Sequence, residues 1–372
     1  MTLSLDPHPI FAGRSGPVLI VVADGVGIAE DTASNAVSQA ETPTLDKLLT
    51  SQFSTSLAAH GTAVGLPTDD DMGNSEVGHN AIGAGRIFAQ GAKLVNKALE
   101  TKTIYDSDVW KEAINHGGAG TMHFIGLLSD GNVHSHINHL HEMINQAVIE
   151  GVVSICVHVL LDGRDTPPRS ALKYVEQTEA FIETMNSASD VNVRIASGGG
   201  RMTITMDRYE ADWGMVQRGY DCHTHGIGRD FGSAIEAVET LYSETDLGDQ
   251  YLEPFVITDA EGEPVGKILD GDSVIFFNFR GDRAIEISQA FEQDEFTVFN
   301  RGNHPNVFFA GMLQYDGDLQ VPNNYLVNPP VIDRTMGEYL AEMNVTSFAV
   351  SETQKFGHVT YFWNGNRSGY IN

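Results

Sequence analysis

VVSICVHVLLDGRD, residues 152–165, is an apolar, β-branched run that stops abruptly in charge. A strand that is apolar on every residue is buried on both faces, which is the habit of parallel sheets covered by helices. The same design recurs in PVLIVVAD (17–24), TMHFIGLLSD (121–130), VNVRIASGGGR (191–201), DSVIFFNFRGDR (272–283), NVFFAGMLQYDG (306–317) and VTSFAVSETQK (345–355). Helical stretches of about 12 to 20 residues separate these runs, so the expected fold class is α/β with largely parallel sheets. Most of the runs end in polar or charged residues. In open α/β sheets ligands bind in the crevice at the carboxyl ends of strands, which makes those residues site candidates.

The 372 residues exceed the roughly 100 to 200 usual for one domain, so two domains are expected. Net charge is −28, a balance that repels nucleic acid and anionic membranes. Any anionic ligand must therefore be held locally, and with 14 Arg and 8 Lys the arginine positions become informative. No apolar run approaches the roughly 20 residues of a membrane span. MTLSLDPHPIFAGRSG lacks a basic segment followed by an apolar one, and two cysteines, Cys156 and Cys222, imply no disulfide framework. A cytoplasmic protein is expected. VPNNYLVNPP (321–330), with its prolines and asparagines, reads as a linker.

Asp24 closes the first run, in VVADGVGIAE. GVG there lacks the third glycine of a dinucleotide loop, and an Asp at a strand mouth is better suited to a divalent cation with oxygen ligands, or to a simple turn with Gly25. Ser75, in DDDMGNSEVGH (69–79), stands at or near the start of a predicted helix. The commoner use of such a serine is capping. A hydroxyl there also faces free backbone N–H groups and the positive end of the helix, which favour an alkoxide or a phosphate.

Taken in order, ADGVGI, MGNSEVGHNAIGAGR, SDGNVHSHINHL, LDGRDTPPRSALKYVEQTE, SGGGRMTITMDRYEADW, FFNFRGDRAIEIS and SETQKFGHVTYFWNG closely resemble the cofactor-independent phosphoglycerate mutases, from about residue 17 to the last. The resemblance implies interconversion of 3-phosphoglycerate and 2-phosphoglycerate through a phosphoserine, with two Mn ions (Mg being possible) and no 2,3-bisphosphoglycerate. It implies a phosphatase-like domain of the alkaline phosphatase superfamily, in segments 1–88 and 323–372, interrupted by a substrate-binding transferase domain at 89–322. Carried onto this chain, Ser75 is the nucleophile and shares a metal with Asp24. His134 matches a phosphate-contacting histidine, and Arg164 with Asp165 a glycerate-handling pair in which Asp165 counts as catalytic. Arg201 and Arg208 match two further arginines, Arg280 and Arg283 the phosphate-binding pair, and Lys355 a lysine near the metal site. Forked guanidiniums suit such a trianion. The expected partner is the small-molecule substrate alone, for a monomer that binds neither nucleic acid nor membrane.

The resemblance also implies a second block of metal ligands, a DxxxH and an ADHG-type motif, which should follow NGNRSGYIN; Asp130 and His134 have the DxxxH spacing but sit in the substrate motif. The expectation is a C-terminally incomplete chain with little or no mutase activity on its own. The alternatives are a non-catalytic phosphoglycerate-binding fragment, or another phosphomutase or metal-dependent phosphatase of the superfamily. In HSHINHLHEM, where Ile137, Leu140 and Ile144 keep helical spacing, only His134 is expected to be functional. CHTH (222–225) lacks the second pair of a zinc site, and Cys156 reads as packing.

Overall fold

The computed structural model describes residues 3–24, 26, 29–30, 32–69, 72–89, 91–317, 319–367 and 369–371. Gly25, Gly27 and Ile28 of the GVG stretch, Asp70 and Asp71 of the acid run, and Gln90 lie outside them. The chain divides into two compact units, Met1–Val64 with Met72–Phe88 and Ile332–Asn372, and Gly65–Asp71 with Ala89–Val331.

The second unit is built on a seven-stranded sheet: β1 Met122–Leu127, β2 Ser154–Leu161, β3 Asn192–Gly200, β4 Arg229–Phe231, β5 Phe255–Ile257, β6 Ser273–Phe276 and β7 Phe308–Gly311. The order is β4-β5-β3-β2-β1-β6-β7, parallel throughout except between β3 and β5. All six residues of β1 and the last seven of β2 are buried, the double-sided burial their apolar sequences predict. Helices such as Ile137–Ile149, Ala171–Ala188 and Ile285–Glu292 bury Leu140, Val175 and Ile287 as their contribution to one contiguous core.

The chain runs outward from β1 to β2 to β3 and later returns to place β6 on the other side of β1. That reversal is a topological switch point, where the loops after neighbouring strands diverge and leave a crevice. The three glycines that end β3 let other backbone close over it: a Cβ on Gly200 would stand 2.4 Å from the Gln250 carbonyl oxygen.

β4 and β5, three residues each, were not among the expected strands. The stretch 321–330 also differs from the linker expected of it. Val321, Leu326 and Val327 are buried, Leu326 N donates to Gly311 O at 3.0 Å and Val327 N to Met312 O at 2.9 Å, so it packs along the end of β7.

In the first unit the expected strand 17–24 is extended or turn backbone and 345–355 is irregular until a 3-10 turn at Thr353–Lys355; neither has a ladder partner among the described residues, and Leu19 (84% exposed) and Phe348 (89%) show why. β propensity needs a neighbouring strand and a covered face to be realised. What is ordered there is helical: Pro43–Leu49, Ser75–Ala84, and Met336–Glu342 with a capping box between Thr335 and Glu338.

Phe124 is fully buried in β1. Phe124→Ala is expected to lower the stability of this unit by about 3–5 kcal/mol, read as a shift in the urea midpoint at constant slope.

Candidate functional site

Two sets of predicted residues come together, one in each unit. In the second unit the set lies at the carboxyl ends of β1, β2, β3 and β6. Asp162 ends β2 and is 2% exposed. Its Oδ1 accepts from the Arg164 amide at 3.2 Å, the Asp165 amide at 3.1 Å and Arg201 Nη1 at 2.9 Å, and its Oδ2 accepts from the Ser129 hydroxyl at 2.7 Å. A carboxylate so fully bonded shapes the LDGRD turn and fixes Arg201, itself 1% exposed at the end of β3.

Arg201 then joins three elements. Nη1 donates to Asp165 Oδ2 at 2.6 Å, and Nη2 meets His134 Nε2 at 2.7 Å. A guanidinium has no acceptor, so His134 accepts through Nε2 and carries its proton on Nδ1. Burial first, then the charges of Arg201, Arg280, Arg283 and Arg164, hold the His134 pKa well below its ordinary value, which keeps the ring neutral. Its Nδ1–H has no hydrogen-bond partner, the nearest carboxylate oxygen being Asp282 Oδ1 at 3.9 Å. A buried donor left in that state is poised for an anionic oxygen.

Asp282 stands between the two arginines of FRGDR. Its Oδ1 lies 2.9 Å from Arg280 Nε, an ion pair whose angle falls short of a hydrogen bond, and its Oδ2 lies 3.7 Å from Arg208 Nη1. Arg283 donates from Nη1 to the Met206 carbonyl at 2.6 Å, and burial together with Arg208 and Arg201 pushes its pKa down to about 10. The loop that carries Arg208 holds three non-glycine residues in the left-handed region: Thr205 at φ +66°, Tyr209 at +60° and Glu210 at +56°. Such backbone persists only where its surroundings over-determine it. Glu286 helps by accepting the Glu210 amide at 3.1 Å, and burial pushes its carboxyl up to about 7.

Five guanidiniums (Arg164, Arg201, Arg208, Arg280, Arg283) therefore share this crevice with three carboxylates, Asp162, Asp165 and Asp282, a local excess of two positive charges in a chain of net charge −28. Like charges crowded this way weaken one another, and an anion relieves them.

In the first unit Asn74, not Ser75, caps the helix Ser75–Ala84: the Asn74 side chain accepts from the Val77 amide at 3.2 Å. Ser75 is the first helical residue, and its hydroxyl donates instead to Asp24 Oδ2 at 3.3 Å. The same oxygen receives Lys355 Nζ at 2.6 Å and lies 3.5 Å from His358 Nε2. The bond from Lys355 leads the causes that lower the Asp24 pKa. His79, one turn on from Ser75, bonds the Ser75 carbonyl through Nδ1 at 2.8 Å and packs edge-on against His358 with centroids 5.0 Å apart. Gly73 is required by close approach, since a Cβ would stand 1.9 Å from the Ala59 carbonyl oxygen.

Sequence reading missed Asp162, Asp282, Glu286 and His358. Asp162 and Asp282 lay inside motifs already quoted, where the arginines drew the attention; an acid at a strand end beside an arginine was the available signal. The decoys behave as structure. His136 caps its helix by accepting from the Asn138 amide, His139 bonds Asn96, and His141 stacks on Phe181 at 4.2 Å. Asp130 is bonded by Lys173 and Tyr174. Burial pushes the Cys222 thiol up to about 12 and also raises that of Cys156.

Residues 95–317 match the family described as the BPG-independent PGAM N-terminus. The chain is 56% identical, over 96% of its length and 66% of the other's, to a Leptospira interrogans protein named "Probable 2,3-bisphosphoglycerate-independent phosphoglycerate mutase". This chain belongs to the 2,3-bisphosphoglycerate-independent phosphoglycerate mutase family. The enzyme of that name from Trypanosoma brucei brucei is 51% identical over the whole of this chain and 68% of its own. A solved structure of Leishmania mexicana phosphoglycerate mutase at low cobalt concentration superposes with a TM-score of 0.91, at 48% identity, covering 100% of this chain and 68% of that one. The chain thus spans about two thirds of the length of the relatives it matches. Membership carries the mixed α/β, alkaline-phosphatase-like fold expected from the sequence. Among the described residues no helix is long and apolar enough to cross a membrane.

Arg201→Ala would leave the Asp162 and Asp165 carboxylates without their buried cation, and an expected loss of about 3–5 kcal/mol follows, measured by urea denaturation. A loss below 1 kcal/mol would show that the bridge does not organise the crevice. The Asp24 carboxyl, lowered by Lys355, contributes stability that is fully present above its ordinary value of 3.8 and is lost as pH falls through the folded-state value. In Lys355→Met its carboxyl carbon resonance should titrate at higher pH than in the unaltered chain, and an unmoved midpoint would remove Lys355 as the cause.

Proposed function

We propose that the chain carries the substrate grip and the nucleophile of an isomerase that interconverts 3-phosphoglycerate and 2-phosphoglycerate, as glycolysis and gluconeogenesis require. The observation that supports this most is the crevice of five arginines around a neutral His134 whose Nδ1–H is unpartnered. Arg208, Arg280 and Arg283 would hold the phosphate, with His134 donating to one of its oxygens. Arg164 and Asp165 would engage the glycerate hydroxyls, and Arg201 would fix Asp165 for that task.

In the proposed step the Ser75 oxygen forms a bond to phosphorus as the bond between phosphorus and the glycerate oxygen breaks, and the serine proton passes to the released hydroxyl. Reversal onto the neighbouring hydroxyl yields the other isomer, with no free 2,3-bisphosphoglycerate needed. The helix start at Ser75 favours the phosphoryl group through its dipole, and the Lys355 ammonium offsets its charge. Asp24, with its lowered pKa, orients the hydroxyl better than it removes its proton.

The metal part of this reading, two manganese or magnesium ions, does not fit the described residues. Asp24 and Ser75 bring three side-chain oxygens at most, no group of three His, Cys, Asp or Glu side chains suited to a metal occurs among the described residues, and manganese takes about six ligands. That observation favours a second reading, phosphoglycerate binding without turnover. The proposal assigns the nucleophile to the segments expected at 1–88 and 323–372 and the grip to 89–322, in a cytoplasmic monomer whose only partner is the substrate.

Calorimetry with 3-phosphoglycerate and a manganese-supplemented isomerisation assay on the same 372-residue chain test both readings. Binding that weakens about 30-fold or more in Arg283→Ala, with turnover abolished by Ser75→Ala, is the expected result. Binding with no turnover selects the second reading. Turnover of a phosphopentose or a generic phosphate ester without phosphoglycerate isomerisation would overturn both.

A further inference from the structure

A second polar assembly lies wholly inside the second unit, running across its sheet. Asp272 Oδ2 meets His123 Nε2 at 3.2 Å, His123 Nδ1 meets His158 Nε2 at 2.9 Å, and His158 Nδ1 meets the Ser197 hydroxyl at 2.8 Å. Ser197 Oγ meets His223 Nδ1 at 2.9 Å, and His223 Nε2 meets Thr205 Oγ1 at 3.0 Å. Each of the six residues is at most 4% exposed, and none of their ring nitrogens or hydroxyls lacks a partner. The three imidazoles cross β1, β2 and the turn Asp221–His225 among apolar side chains, an expensive arrangement for a core that Leu or Phe would fill.

The order of protons along this chain is determined. Asp272 also accepts the Thr121 and Leu269 amides, which stabilise it as an anion. As a carboxylate it only accepts, so His123 donates from Nε2. Burial lowers the pKa of all three rings, His223 to about 3, and neutral rings have one donor each. His158 therefore donates from Nε2 to His123, Ser197 donates to His158 Nδ1, His223 donates from Nδ1 to Ser197, and Thr205 donates to His223 Nε2. Every bond points the same way, so each polarises the next.

The far end of the chain is the strained residue. Thr205 sits at φ +66°, its amide donates to the Met215 carbonyl at 3.0 Å, and Gly219 leaves room for it, because a Cβ there would stand 2.1 Å from Thr205 Oγ1. The next residue, Met206, offers the carbonyl that receives Arg283, and Arg208 follows two residues later. We propose that the hydrogen-bond chain from Asp272 to Thr205 is a positioning device for anion binding: it locks the Thr205 turn, and the turn sets where Arg208 and Arg283 stand. His123, His158, Ser197 and His223 are thus positioning residues, none of which bonds the site arginines. The inference rests on the reading of Arg208 and Arg283 as phosphate-binding.

Ser197→Ala cuts the two links made by its hydroxyl and Thr205→Val the last one, each with little change in shape, and Thr205→Ser restores that last link. The expected result is about fivefold to tenfold weaker 3-phosphoglycerate binding in the two cut variants, near that of the unaltered chain in Thr205→Ser. Exchange of the Arg283 guanidinium protons, followed by NMR without ligand, should quicken about tenfold in the cut variants while amide protection in β1 and β2 holds. Binding and exchange within twofold of the unaltered chain, whatever the thermal midpoint does, would make the chain a structural core and overturn the proposal. If the unaltered chain binds no phosphoglycerate, the functional reading falls and Arg283 exchange alone decides this one. If a cut variant does not fold, the nitrogen spectrum of the unaltered chain decides: a proton on His223 Nε2 in place of Nδ1 overturns the proposal.

Discussion

The buried bridge between Asp162 and Arg201 is the constraint on which the crevice depends. Both are almost wholly withdrawn from water, and burying two charges costs more than their attraction returns unless hydrogen bonds satisfy what remains. Here they do. Asp162 accepts from two amides and a hydroxyl as well as from Arg201, while Arg201 reaches Asp165 and His134 with its other donors. The turn after β2, the end of β3 and the loop after β1 are thereby locked to one another, and the His134 tautomer follows without any further cause.

That lock lets a strongly acidic chain keep five guanidiniums together in one crevice. Screening at physiological ionic strength reduces charges beyond about 8 Å to a weak background, so the −28 of the whole molecule matters less at the crevice than the five arginines within it. Burial first, and then their mutual repulsion, lower the Arg283 pKa and keep His134 neutral. A neutral histidine supplies one directed hydrogen bond where a sixth cation would add more repulsion. Asp282, between Arg280 and Arg208, spaces them and limits the excess.

Five of the seven strands of the sheet were legible as apolar runs ending in charge, and so was the crevice at their ends, because a doubly covered parallel strand has few other ways to be written. β4 and β5 were not, since three residues carry no periodicity and β5 owes its place to the glycines of β3. The runs 17–24 and 345–355 have the same composition as β2 yet form no ladder among the described residues, which shows that such a run states only a demand for neighbours. The buried histidines were hidden for a related reason. His123 and His158 sit in runs read as apolar, and only the registry of β1 on β2 reveals that they touch.

Ser75 shows how a neighbouring residue can decide what a side chain is available to do. A serine that caps its own helix spends its oxygen as an acceptor for an amide two or three residues on, and its hydroxyl is then oriented by the backbone. Here Asn74 takes the cap, which shifts Ser75 inside the first turn and turns its hydroxyl proton toward Asp24. Gly73 admits the Ala59 carbonyl that a side chain would displace. The order Gly-Asn-Ser therefore places three separate tasks on adjacent residues: close approach at Gly73, the cap at Asn74, and at Ser75 a hydroxyl left to meet Asp24.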